Sequence, residues 1–112
     1  GTMTYQLLMA AEQLAYAGVQ AEVVHFNTIK PLDEAAVVAA AQKCGRVATA
    51  EEGQIAGGFG SAVVEVLGEK LPVKIKRIGV RDQFGESGSV AELWKKHGLD
   101  VEAIVRQIKS ML

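Results

Sequence analysis

Apolar residues recur along the chain with two spacings, one typical of helices and one typical of strands. Residues 4–17 place apolar side chains three or four positions apart and precede Gly18, which predicts an amphipathic helix with Thr4 as its N-cap. Residues 21–26 are short, mostly apolar and rich in valine, which predicts a strand buried between helices. The inward face of the helix is predicted to hold Tyr5, Leu7, Leu8, Ala11, Leu14 and Ala15.

A second helix is predicted to start at about Glu34. Pro31 keeps the residue before it out of the helical region, and Asp33 is a good N-cap. The helix runs to Lys43, and Gly45 ends it in the manner of a C-terminal glycine. Its inward side chains are predicted to be Val37, Val38 and Ala41.

The second half of the chain repeats the alternation of strands and helices. A buried strand is predicted at 46–50 and a helix at about 58–70. Residues 73–80 alternate apolar with basic side chains, which predicts a strand with one solvated face, as at the edge of a sheet. After a loop, two more helices are predicted, one capped by Ser89 and a final one capped by Asp100. The final helix is predicted to place Ile104, Val105, Ile108 and Leu112 on one side.

Helices and strands that alternate in this way indicate an α/β fold in which right-handed crossovers join parallel strands. The sheet is then covered by helices on both faces, so we expect a three-layer α/β/α domain over residues 1–112. Three strands make a narrow sheet for so many helices, and the chain begins with a helix. We therefore expect that part of the fold is missing upstream.

Composition narrows the classes of function that fit. The chain has 112 residues, of which 49% are hydrophobic and only 5% aromatic, so a folded core of Ala, Val, Leu and Ile is expected. A formal net charge of −1 gives no electrostatic footprint for nucleic acid. No apolar run approaches a membrane span, and no basic n-region followed by an apolar h-region stands at the start, so no secretory leader is expected. We expect a cytoplasmic protein without nucleic-acid or membrane partners.

Three isolated residues with reactive side chains are interpreted as structural. His25 has no second histidine nearby and is predicted to be a strand-end residue. His97 falls in the last turn of its predicted helix, where a cation suits the helix dipole. Cys44, the single cysteine, cannot form an internal disulfide and is predicted to be a small buried side chain.

The strand-to-helix turn at residues 51–62 is the strongest candidate for a site. A strand that runs through glycines into a helix leaves unpaired backbone N–H groups at a positive dipole end, where an anion can bind. The turn matches neither a Walker A loop nor G-x-G-x-x-G, and a carboxylate of the turn could bind those N–H groups instead. A packing role is favoured over contact with an anion or a subunit, for which the candidates are Glu51, Glu52, Gly57, Gly58, Gly60 and Ser61.

Several segments, taken together and in order, resemble the C-terminal domain of transketolase and its thiamine-diphosphate-dependent relatives. They cover nearly the whole chain and comprise Thr28–Asp33, Ala50–Gln54, Gly57–Val63, Ile78–Gly88, Leu93 and His97–Leu99. The run Phe84–Gly88 is most similar to transketolases, including those split into separate subunits. Gly53, where many transketolases have histidine, instead favours the deoxyxylulose-phosphate synthases and the beta subunits of 2-oxoacid dehydrogenases.

The resemblance implies a parent enzyme that transfers two-carbon ketol units between sugar phosphates. In that family thiamine diphosphate and Mg²⁺ are held by the preceding domains, and the C-terminal domain chiefly supports the dimer. The sequence offers no acid cluster for Mg²⁺, no phosphate-cradling basic set and no base–nucleophile pair. We therefore assign no catalytic, cofactor-binding or metal-binding residue and expect the isolated chain to be inert. Its expected partners are other domains or subunits of the parent enzyme, in a homo-oligomer.

The resemblance implies that the missing part is the first strand of the sheet, and that the chain is a fragment of a larger protein. In the family this domain opens with an apolar strand that ends in a turn of small residues, which Gly1–Met3 resembles. Loss of an interior strand would expose backbone groups that normally pair, and would favour pairing with another chain. In the alternative families, the corresponding domain would be a subunit-assembly or anion-binding module.

Overall fold

The structure, a computed structural model, describes residues 2–26, 31–54, 57–80 and 98–112. These residues form six elements, α1 (Thr2–Tyr16), α2 (Glu34–Cys44), β1 (Arg46–Gln54), α3 (Phe59–Lys70), β2 (Lys74–Val80) and α4 (Val101–Ser110). Three predictions lie outside the described residues: the helix capped by Ser89, the capping role of His97, and the segment Phe84–Gly88.

The sheet is parallel and has helices on both faces. β1 and β2 pair with Val47 opposite Ile75 and Ala50 opposite Ile78, and the register shifts between Ala50 and Gln54. Helices α1 and α4 pack together on one face, and α2 and α3 on the other. One apolar cluster fills each interface, Ala10, Ile78, Leu99 and Ile104 on the first face and Val37, Ala41, Val63 and Leu67 on the second. The predicted three-layer α/β/α class is confirmed.

The strand predicted at 21–26 is wrong within the described part of the chain, since these residues belong to no strand. Their valines favour a sheet, but such a preference is expressed only when a neighbouring strand supplies hydrogen-bond partners. The segment is held by helices instead. The backbone N–H of Val19 donates to Leu14 O at 2.8 Å, and the Glu22 carboxylate lies 2.7 Å from Lys43 Nζ at the end of α2.

The predicted caps of α2 and α4 are confirmed. Asp33 Oδ1 accepts a hydrogen bond from Ala36 N at 3.1 Å, and Asp100 Oδ1 accepts one from Ala103 N at 3.0 Å. Gly45 ends α2 in the left-handed conformation, with φ of 76°, which favours glycine.

The start of α1 differs from the prediction. The helix already includes Thr2 and Met3, so these residues form no turn and Thr4 is not an N-cap. The Thr4 hydroxyl is instead hydrogen-bonded to His25 Nδ1 at 3.0 Å, across the fold. This contact fixes the first turn of α1 against the end of the segment that follows it.

Burial corrects part of the predicted core. The buried stripe of α1 runs through Met3, Leu7, Ala10 and Leu14, so Tyr5 and Leu8, 64% and 54% exposed, face outward. Ala15 is exposed as well. Leu112 lies past the end of α4 and is half exposed, while Met111 is buried. Cys44 is exposed, contrary to prediction, because it lies in the last turn of α2 beyond its buried stripe.

Candidate functional site

Strand β1 carries both candidate carboxylates, because it continues to Gln54 rather than ending at the predicted Ala50. Successive side chains of a strand point to opposite faces of the sheet. Glu51 is accordingly half-buried towards α3, whereas Glu52 is exposed. The two neighbouring acids therefore have different surroundings and different roles.

Glu51 occupies the N-terminus of α3. The backbone N–H of Phe59 donates to Glu51 Oε1 at 3.0 Å, and that of Gly60 donates to Oε2 at 2.7 Å. The N-cap residue, Gly58, has no side chain that could satisfy these donors. A carboxylate suits the place because it meets both the unpaired N–H groups and the positive end of the helix dipole. An external anion would have to displace Glu51 to bind there.

Ser61 forms a second set of contacts in the same turn. Its hydroxyl oxygen accepts hydrogen bonds from the backbone N–H of Gly57 and from Arg77 Nη1, both at 3.1 Å. Gly57 has φ of 72°, a conformation in which L side chains are strained. Ser61 thus links the turn to β2.

Gly60 is buried where α3 meets the sheet. A Cβ atom at this position would lie 2.6 Å from Thr49 Oγ1, 3.1 Å from Glu51 Oε2 and 3.2 Å from Arg77 Cγ. Thr49 and Arg77 stand opposite each other in the register of β1 and β2. Only a glycine lets the helix N-terminus come this close to both strands and to the Glu51 carboxylate.

The sequence identified much of this site and missed part of it. Glu51, Gly57, Gly60 and Ser61 come together in one hydrogen-bonded turn, whereas Glu52 is exposed beside it. Two contributors were not predicted, Arg77 and the buried Thr49. Strand alternation could have indicated Thr49, because Thr49 and Glu51 are two residues apart in β1 and share the face that meets α3.

The fit of a metal ion and of a diphosphate can be tested on the side chains and donors of the described residues. No group of three or more His, Cys, Asp or Glu side chains within them could hold a metal ion. The N–H groups of Phe59 and Gly60, of the kind that hold a phosphate at a helix N-terminus, bind Glu51. Mg²⁺ and a diphosphate therefore do not fit this turn as it stands.

Within the part of the chain that the structure describes, no helix combines the length and apolarity that a membrane crossing needs.

Replacing Glu51 with glutamine tests the structural role of its carboxylate. We expect Glu51→Gln to lower the free energy of unfolding by about 1.5–3 kcal/mol, because an amide replaces one acceptor oxygen with a donor and removes the charge. Hydrogen exchange at Phe59 and Gly60 should accelerate. The matched control is Glu65→Gln, which makes the same change at an exposed position of α3. Equal free energies of unfolding in urea for Glu51→Gln and Glu65→Gln would contradict the proposed stabilisation of the α3 N-terminus by the Glu51 carboxylate.

Comparison with known proteins gives consistent matches over most of the chain. The sequence model of the family described as "Transketolase, C-terminal domain" matches residues 1–104. The chain is 50% identical over 106 residues to the 6-deoxy-6-sulfo-D-fructose transketolase subunit SqwH of Clostridium sp. (strain MSTE9). This alignment covers 95% of the present chain and 33% of the subunit. The chain is also 40% identical over 104 residues to the 1-deoxy-D-xylulose-5-phosphate synthase of Thermomicrobium roseum, in an alignment that covers 92% of the present chain and 16% of the synthase.

A solved structure gives a similar match. The chain described as "Split gene transketolase, inactive beta4 tetramer" superposes with a TM-score of 0.94 at 41% sequence identity. The superposition covers 100% of this chain and 37% of that one. The present chain thus spans 33% of the subunit, 16% of the synthase and 37% of the solved chain.

Proposed function

Because the chain belongs to the transketolase C-terminal domain family, we propose that it is the C-terminal structural and dimerisation domain of a transketolase. The parent enzyme would transfer two-carbon ketol units between sugar phosphates, with thiamine diphosphate and Mg²⁺ held by other domains or subunits. The parent enzyme would be located in the cytoplasm. The present domain would contribute to the assembly of subunits, and the isolated chain would have no catalytic activity.

The observation that carries the proposal is the state of the β1–α3 turn. The donors best placed to hold a phosphate are bound by Glu51, and the Ser61 hydroxyl is engaged by Gly57 and Arg77. Among the residues of the turn whose burial the structure describes, Glu52 and Gly57 are exposed. Backbone donors that are already bound, beside a rim that is polar and exposed, suit contact with another subunit better than contact with a substrate.

The solved relative supports the assembly role. It is described as an inactive tetramer of beta chains, and it superposes on the whole of the present chain. By analogy, we propose that the present chain self-associates and that the exposed rim of the turn takes part in the contact. Glu52 is the residue of choice for a test, because it is exposed and follows the structural Glu51 directly in β1.

The test has two arms, catalysis and assembly. The purified chain, supplied with thiamine diphosphate, Mg²⁺, a ketose phosphate and an aldose phosphate, is expected to produce no ketol transfer. In sedimentation the chain is expected to form an oligomer. Glu52→Arg is expected to raise the dissociation constant of this oligomer about tenfold or more, whereas Glu65→Arg, on the exposed face of α3, leaves it unchanged. Ketol transfer by the chain alone contradicts the first arm. A monomeric chain contradicts the second.

A deoxyxylulose-phosphate synthase is the second candidate for the parent enzyme. It is favoured by the 40% identity to the Thermomicrobium roseum synthase over nearly the whole chain. The two candidates differ in the product of the full-length parent. Formation of 1-deoxy-D-xylulose 5-phosphate would identify the synthase, and transfer of a ketol unit to an aldose phosphate would identify the transketolase.

A further inference from the structure

Helix α1 carries a second apolar stripe, on the face that points away from the sheet. Tyr5, Leu8 and Tyr16 are 64%, 54% and 85% exposed, and Met9 between them is half-buried. With about 3.6 residues per turn, these four positions fall on one side of the helix, opposite its buried stripe. We call these four residues the outer stripe.

The outer stripe lacks the charges that normally cover the exposed face of a helix. Glu12 is the one charged residue in the whole of α1 (Thr2–Tyr16). By contrast, α4, which packs beside α1, exposes Glu102, Arg106 and Lys109. An exposed apolar patch with a polar rim marks a contact with another molecule. The outer stripe is therefore the centre of a contact surface, and α4 supplies part of its rim.

The charge of α1 favours a protein over a membrane as the occupant of this surface. Helices that lie on membranes carry Lys or Arg along the polar face, which attracts anionic lipids. Helix α1 contains neither residue, and its single charge, on Glu12, is negative. An anionic membrane surface would therefore repel it.

The area of the outer stripe fits a contact between two copies of the chain. The exposed parts of Tyr5, Leu8 and Tyr16 amount to about 400 Å². Two stripes face to face would bury about 800 Å² before the rim is counted, near the lower limit of about 1,200 Å² for specific interfaces. Such an area suits a reversible dimer rather than an obligate one.

The outer stripe is complementary to itself when two copies of α1 pack antiparallel. A two-fold axis between positions 8 and 9 places Leu8 against Met9 of the partner subunit, and Tyr5 against Glu12 of the partner subunit. The phenol O–H of Tyr5 can then donate to that carboxylate, twice by symmetry. The two Glu12 residues stand about 10 Å apart along the helix axes. An axis between positions 10 and 11 would pair Tyr5 with Tyr16, but it would reduce this separation to about 5 Å, where like charges repel.

We propose that the outer stripe binds a second copy of this chain, in an antiparallel α1–α1 contact with its two-fold axis between Leu8 and Met9. The apolar centre of the contact is closed on each side by a bond from Tyr5 to the partner's Glu12. This contact lies on a different face from the rim of the β1–α3 turn. It does not depend on the identity of the parent enzyme.

Sedimentation of the Glu52→Arg chain isolates the contact, because this substitution removes the association proposed at the rim of the turn. We expect the Glu52→Arg chain still to dimerise. Adding Leu8→Arg should raise the dissociation constant about a hundredfold or more, since two cations then meet at the axis. Leu8 is exposed in the single chain, so the fold is kept. The matched control is Leu112→Arg, at a leucine that is 51% exposed past the end of α4, which should leave the dissociation constant unchanged.

Two outcomes of the sedimentation experiment overturn the proposal. A Glu52→Arg chain that is monomeric at every concentration assigns all association to the rim of the turn, and leaves the proposed function intact. A dimer that Leu8→Arg does not weaken shows that another surface joins the copies.

Charge complementation tests the two-fold axis, again in the Glu52→Arg chain. Leu8→Arg and Leu8→Glu should each give a monomer, whereas an equimolar mixture of the two should form a heterodimer, because opposite charges then face each other across the axis. Association of the mixture also shows that both variants are folded. Two monomers that do not associate on mixing overturn the assignment of the axis.

A double-mutant cycle tests the pairing of Tyr5 with the partner's Glu12. Tyr5→Phe should raise the dissociation constant about tenfold, because two hydrogen bonds to carboxylates are lost. In a Glu12→Ala background the same substitution should change it less than about twofold, since the acceptor is already absent. An equal effect of Tyr5→Phe in both backgrounds overturns this register of the two helices.

Discussion

Replacing Gly60 with alanine is expected to lower the free energy of unfolding by about 1–3 kcal/mol, although alanine is the better helix former. The added methyl would lie 2.6 Å from Thr49 Oγ1, a short side chain on a buried strand that cannot move aside. It would also crowd Glu51 Oε2 and so disturb the carboxylate that binds the start of α3. Urea unfolding at constant m-value measures the loss.

Gly68→Ala is the matched control for Gly60→Ala. It makes the same change in the same helix, where a Cβ meets nothing within 4 Å, and should stabilise the fold by about 0.5–1 kcal/mol. In a Thr49→Ala background the loss caused by Gly60→Ala should shrink by about 1 kcal/mol or more, whereas Thr49→Val, which keeps the volume, should preserve it. An equal loss in both backgrounds would show that Thr49 is not the obstacle.

The sequence predicted the parts of the fold that local chemistry determines. Asp33, Gly45 and Asp100 mark helix ends because their side chains or their conformational freedom act on the nearest backbone groups. The alternation of strands and helices likewise predicted a layered α/β fold. These features need no knowledge of distant contacts, so pattern alone was sufficient.

The errors in the prediction arose where a distant partner decides the outcome. Residues 21–26 have a strand-like sequence but form no strand, because β pairing needs a neighbour that propensity cannot supply. Tyr5 and Leu8 have the spacing of a helical apolar stripe, yet the stripe of α1 that faces the core is the one that contains Ala10 and Leu14. A 15-residue helix with apolar residues on most sides offers more than one such stripe.

The candidate site shows the same division. The glycines and carboxylates of the turn were visible in the sequence, and one proposed alternative was that a carboxylate would bind the helix-terminal amides. Which carboxylate does so was not predictable, because β1 continues past Ala50 through an irregular stretch, in which Glu51 meets the start of α3. Arg77 was interpreted as part of a solvated face. It is half-buried because its side chain lies against the start of α3, where Nη1 donates to the Ser61 hydroxyl and Cγ lies close to Gly60.

The other large effect is expected from Leu67→Ala, which should lower the free energy of unfolding by about 2–5 kcal/mol. Leu67 is fully buried, at 0% exposure, in the cluster that joins α2 and α3 to the sheet. Truncation loses apolar burial and leaves a cavity that the helices of this layer cannot close without shifting. Because α3 also presents Gly60 to Glu51, amide exchange at Phe59 and Gly60 should accelerate in parallel.

The control for Leu67→Ala is Leu8→Ala, the same substitution in another helix, where the side chain is 54% exposed. The change in helix propensity is the same in both variants, so the difference between their unfolding energies reports burial alone. We expect Leu8→Ala to change stability by less than about 1 kcal/mol and to leave the exchange of Gly60 unchanged. Equal losses in the two variants would contradict the division of the structure into a packed α2–α3 layer and an outward face of α1.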